Sequence, residues 1–150
     1  MANGILIFPD EYWDLEEKGE KLPALEFMEM EARRTKDPDI YFFLGQEFGV
    51  YSDRNLTDYA RAFEWFNQGA LVGDAPCIYE SGIALLAGLG VPNDKLAGLG
   101  RIREAARMGN EVALDFLLSE QFQSEYHFSL TLDEVKEFSS IRAKHNDSKA

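Results

Sequence analysis

Of 150 residues only one is cysteine, Cys77, and only two are histidine, His127 and His145. A lone cysteine cannot close an internal disulfide, so nothing in the composition asks for an oxidising compartment. Two histidines eighteen positions apart give no recognisable zinc-ligand spacing, and GxxxxGK[ST], GxGxxG and HExxH are all missing. Basic residues are scarce: 15 Lys plus Arg against 27 Asp plus Glu leave a formal charge of −12. That sign opposes the phosphates of nucleic acid and an acidic membrane surface, and neither is expected as a partner. No run approaches the ~18 apolar residues needed to cross a bilayer. The start, Met1 to Asp10, has no basic opening, and its apolar run Ile5 to Phe8 is shorter than the roughly 7–15 residues of a signal core, so the expected location is cytoplasmic.

What is abundant is apolar surface. With 45% hydrophobic and 13% aromatic residues the chain has enough for the packed core of a single domain, and disorder is excluded. The excess of acid favours a basic partner, met faster through electrostatic steering.

Two stretches echo each other. Asp58, Ala62, Trp65, Gly69, Ala70 and Gly73 are followed, 36 residues later, by Asp94, Gly98, Arg101, Ala105, Ala106 and Gly109. A period of that length marks an array of helical units, each stacking an apolar face that it cannot bury alone. The apolar positions Ala60, Phe63, Phe66 and Ala70 recur as Leu96, Leu99, Ile102 and Ala106, at spacings of three and four that place them on one helical stripe. First helices are predicted over Ile40 to Val50 and Ala75 to Ala87, second helices over Asp58 to Val72 and Lys95 to Met108. A polar loop from Tyr51 to Thr57 joins one pair, and Gly88 to Asp94 the other. Asn93 or Asp94 offers a side-chain oxygen to the amides of the helix that follows.

The units therefore span about 40–74 and 75–110, with a partial unit over 111–122 that begins as a helix from Val112 to Phe122. A degenerate unit is expected over about 10–37, with a helix from Pro23 to Arg34, and a terminal helix over about 131–144. That last helix opens with Thr131-x-x-Glu134, a capping box, and turns Leu132, Val135, Phe138 and Ile141 inward. Residues 146–150 are expected to fray. The fold class predicted is all-α, a short α/α solenoid with irregular capping helices, as monomer or homodimer.

Gly88-x-Gly90-Val91-x-x-Asp94 followed by Ala105-Ala106-x-x-Gly109 resembles the Sel1-like repeat, a helix-turn-helix relative of the tetratricopeptide repeat. In the earlier unit Leu44-Gly45, Asp58, Ala62, Trp65, Ala70 and Gly73 fit, while Ser52 to Leu56 replaces the glycine loop. The resemblance covers about Ile40 to Leu117. It implies a right-handed stack of antiparallel helix pairs whose first helices line a concave surface, and partner-binding or adaptor work rather than catalysis.

Repeated positions are used for stacking, so binding belongs to positions where the units differ. Those on the first helices are Tyr41, Phe43, Gln46 and Glu47, then Ile78, Glu80 and Ile83. A further candidate is the aromatic-acidic segment Asp10 to Glu17, in which Tyr12 and Trp13 would anchor a partner and Glu16 and Glu17 steer it. No catalytic, cofactor-binding or metal-binding residue is assigned. Cys77 occupies the place of a small packed residue, so a dyad with His127 is a minor alternative, as is a metal site using Glu125 and His127. The functional expectation is an acidic interaction module for a basic protein, with an immunity protein neutralising a bacterial toxin as its concrete form. A general adaptor for a peptide or helix is the alternative, and a hydrolase the third.

Overall fold

A computed structural model describes residues 6–50 and 55–149. Among them every regular element is a helix: α1 (Asp10–Glu17), α2 (Lys21–Thr35), α3 (Pro38–Gly49), α4 (Tyr59–Leu71), α5 (Ala75–Ala87), α6 (Lys95–Arg107), α7 (Glu111–Leu118), α8 (Glu120–Glu125) and α9 (Leu132–Lys149). Packing runs along the chain. α1 lies on α2, α3 on α4 and α5 on α6, while α4 against α5 and α6 against α7 join the pairs, and α9 folds back over α7.

The 36-residue echo is a set of helix ends. The carboxylates of Asp58 and Asp94 accept from the backbone N–H groups of Arg61 and Ala97, both at 3.0 Å, and so satisfy donors that a helix start leaves unpaired. Gly73 and Gly109 have φ of +81° and +88°, values that side-chain-bearing residues adopt only under strain. The turns they make are the same: Gly73 N–H donates to Ala70 and Asp74 N–H to Gly69, then Gly109 to Ala106 and Asn110 to Ala105, all at 3.0 Å. A further echo, not read from the sequence, starts the first helices. Asp74 accepts from Cys77 and Asn110 from Ala113. Asp94 is the cap of α6; Asn93 instead donates to the Leu86 carbonyl at 2.7 Å.

The core falls into two clusters that meet on α5. One runs from Tyr12 through Leu25, Leu44 and Trp65 to Cys77, and the other from Ile78 through Ile102 and Leu117 to Phe138. Cys77 and Ile78 are neighbours about 100° apart around the helix, which is how one helix serves both.

Several expectations are corrected. Leu96 is 86% exposed and Ala60 is exposed, because each lies two residues, about 200° around the helix, from a position packed on the neighbouring helix, Gly98 and Ala62; the buried stripes use Leu99, Ile102, Ala105 and Ala106, and Ala62, Trp65 and Phe66. The helix expected over Val112 to Phe122 breaks at Ser119, which is extended and whose hydroxyl accepts from the Phe122 N–H, starting α8. The last helix reaches Lys149, held by Lys149 and His145 against Glu111 at 2.7 and 3.4 Å. Its capping box forms reciprocally between Thr131 and Glu134, but Leu132 and Val135 are exposed; Phe138 supplies the buried contact, with Ile141 partly buried. Of the polar loop, residues 51–54 lie outside the described residues, as do Met1 to Ile5 and Ala150.

Candidate functional site

On α3 the residues Phe43, Gln46 and Glu47 share one stripe by their three- and four-residue spacing, and on α5 Glu80 and Ile83 do the same. Gln46 donates to the Glu80 carboxylate at 3.4 Å, so the two helices are joined across units at this stripe. Glu80 lines a small cleft with Phe63, Phe66 and Ile83, and burial pushes its carboxyl above the ordinary 4.5. Among the described residues no cation stands within ion-pair distance of it.

α1 extends the stripe. Phe8 packs on Tyr12 and on Phe43, each with ring centroids 4.8 Å apart, and Trp13 sits 5.5 Å from Phe8. Lys21 ties the segment down, meeting Glu16 at 2.8 Å and Glu47 at 3.2 Å. Burial disfavours the charge on both Lys21 and Glu16, yet their mutual hydrogen bond, Glu47 beside the lysine and the Tyr12 hydroxyl beside the carboxyl together outweigh it, raising the lysine and lowering the carboxyl. Burial and the neighbouring Glu16 push the Tyr12 hydroxyl up to about 12.

The eleven residues chosen from the sequence thus divide. Glu16, Phe43, Gln46, Glu47, Glu80 and Ile83 line one continuous strip over α1, α3 and α5, and half-exposed Trp13 stands at its end. Glu17 is exposed outside these contacts. Tyr12, Tyr41 and Ile78 are 4%, 6% and 2% exposed, so their surfaces are occupied within the chain. Tyr12 and Tyr41 belong to the first core cluster, with Tyr41 stacked on Trp65, and Ile78 to the second. Sequence spacing alone missed Lys21, whose long side chain gathers acids from two helices.

A buried polar set also lies between units. Glu29, 3% exposed, accepts from Arg61 and from the Trp65 indole N–H, the latter at 2.7 Å, while Arg61 lies 4.5 Å over the Phe48 ring. Among the described residues no buried side-chain polar atom lacks a partner, which suits a strut between helices. The Cys77 thiol is wholly buried against Gly69, and burial, then the nearby Asp74 carboxylate, pushes it far above the ordinary thiol value. Such a thiol is a poor nucleophile. His127 lies in the turn before α9, its carbonyl accepting from Lys95, with the second core cluster rather than Cys77 beside it. Among the described residues no three His, Cys, Asp or Glu side chains converge, and no helix is long and apolar enough to cross a membrane.

The sequence matches no protein-family model and no curated protein. Its fold is similar to that of a Sel1 repeat protein from Oxalobacter formigenes, with a TM-score of 0.65 over 81% of this chain and 90% of that one, at 19% identity. A protective antigen of uropathogenic Escherichia coli with an SLR fold aligns over 91% of this chain and 44% of its own, at 17% identity and a TM-score of 0.39. The first of these, together with paired helices whose capping bonds repeat every 36 residues, shows that the chain has the Sel1-like repeat fold.

Proposed function

We propose that the protein is a binding scaffold whose strip over α1, α3 and α5 receives a basic protein. The observation that carries this reading is Glu80: a carboxylate held in an apolar cleft that, among the described residues, is bonded to Gln46 alone and faces no cation. A lysine or arginine from a partner would supply the missing counter-charge where water screens it least. Exposed Trp13 gives an apolar anchor at the end of the strip, and the charge of −12 accelerates encounter.

The concrete form is an immunity protein that occludes the active site of a bacterial toxin. Affinity capture from the native host at low salt should recover a stoichiometric basic protein whose binding weakens with salt and falls about tenfold or more in Glu80→Gln. A complex indifferent to both salt and that substitution would overturn the reading. Deleting the gene separates immunity from adaptor work: an immunity protein is indispensable only while a neighbouring toxin gene is intact. The hydrolase reading has no support from Cys77, which is sealed in the core.

A further inference from the structure

Of the seven arginines among the described residues, five meet a carboxylate. Arg34, Arg61, Arg103, Arg107 and Arg142 pair with Glu31, Glu29, Glu134, Glu137 and Asp115. Among the described residues two do not, Arg33, which lines one groove, and Arg101, which bonds to Asn67 of its lining. The Arg33 guanidinium lies 5.3 Å over the Trp65 ring, and Arg101 donates to the Asn67 side-chain oxygen at 2.8 Å. Trp65 and Asn67 line an open groove of about 570 Å³ between the end of α2 and α4, which Lys36 also lines. Acids outnumber bases here, so unpaired arginines gathered at one place are the reverse of what composition alone would produce.

The groove has a fixed aromatic wall. Trp65 stacks on Tyr41 with centroids 5.7 Å apart, and its N–H is held by buried Glu29. Among the described residues the Arg33 guanidinium makes no hydrogen bond or ion pair, so its fork of donors is open to a carboxylate. One acid, exposed Glu64, shares the lining. The volume is that of a site for a few side chains rather than a fold.

We infer that this groove is a second binding site, opposite in sign to the strip on α1, α3 and α5, for a protein segment with a carboxylate beside an apolar side chain. The carboxylate takes the donors of Arg33, with Lys36 and Arg101 adding positive charge. The apolar side chain lies against Phe63, the half-buried aromatic residue of the lining. A long polyanion is disfavoured by the charge of −12, whereas a short acidic segment meets the local cations only.

Panning a phage-displayed random peptide library on the intact protein tests this. Peptides pairing Asp or Glu with an aromatic residue or Leu should be enriched. A synthetic representative should bind the Arg33→Gln/Lys36→Gln variant at least about tenfold more weakly. Both side chains are exposed, so thermal unfolding of that variant should be unchanged and the loss attributable to the groove. Glu80→Gln should bind the same peptide normally. No enrichment, enrichment of neutral or basic peptides only, or affinity untouched by Arg33→Gln/Lys36→Gln would overturn the inference. Basic peptides lost on Glu80→Gln but kept on Arg33→Gln/Lys36→Gln would support the other strip while counting against this groove.

Discussion

Gly82 of α5 and Gly98 of α6 stand face to face where the two helices cross: a Cβ on Gly98 would lie 2.7 Å from the Gly82 carbonyl oxygen, and one on Gly82 would lie 2.9 Å from the Gly98 oxygen. Backbone blocks both positions, and backbone in a packed helix pair cannot move aside. Gly98→Ala is therefore expected to destabilise by about 1–3 kcal/mol. Gly100, two residues on, meets nothing within 4 Å, so Gly100→Ala should stabilise by roughly 0.5–1 kcal/mol through helix propensity. Urea unfolding of the two variants should show opposite signs.

Tyr12 and Trp13 are adjacent and should behave oppositely. Tyr12 is 4% exposed and Trp13 is 52% exposed. Tyr12→Ala should cost about 3 kcal/mol of stability by leaving a core cavity. Trp13→Ala should cost less than about 1 kcal/mol of stability but roughly 2 kcal/mol of partner binding, as an interface anchor does. Chemical denaturation and titration with the captured partner check the two halves.

Burial raises the Glu80 carboxyl, so the folded state takes up its proton at higher pH than the unfolded state does. Above that raised value the buried charge costs stability, and the cost is relieved as pH falls through it. Glu80→Gln should raise the melting temperature at neutral pH, with the gain shrinking on acidification and gone below the ordinary carboxyl value of 4.5. A variant that is more stable yet binds its basic partner less well would identify Glu80 as a residue kept for binding.

Cys77 should resist thiol reagents in the folded protein and react fully in denaturant, because burial both hides the sulfur and suppresses its thiolate. Gly69→Ala would drive a methyl into that sulfur and its Cβ, and should destabilise by about 1–3 kcal/mol. Ellman titration with and without guanidinium, followed by unfolding of Gly69→Ala, reads both effects.

Much of this was legible in the chain because it depends on local backbone chemistry. Asp58, Asp94, Gly73 and Gly109 declare themselves through capping and positive φ, needs met within a few residues. Thr131 and Glu134 likewise announce the start of α9. The paired start at Asp74 and Asn110 is equally local, but it is made by two different residue types, so no repeated letter marks it. Spacing failed at Leu96 and Ala60, since the larger apolar side chains were placed on the packed face, whereas that face in the first turns is made by the small residues Gly98 and Ala62, about 200° away.

The sequence by itself determined the helical period, the helix ends and the acidic balance, all of which follow from the order of residues and their local bonding. Only the tertiary structure decided which aromatics are core and which are surface, that Lys21 draws Glu16 and Glu47 together, that Glu80 lies in an apolar cleft, and that Arg33 and Lys36 share a groove with Asn67, the partner of Arg101. The reason is distance along the chain. A cap is made between residues three apart, whereas the Gln46–Glu80 and Asn67–Arg101 contacts each join residues 34 apart, and nothing but the stacking of one helix pair on the next brings them within reach.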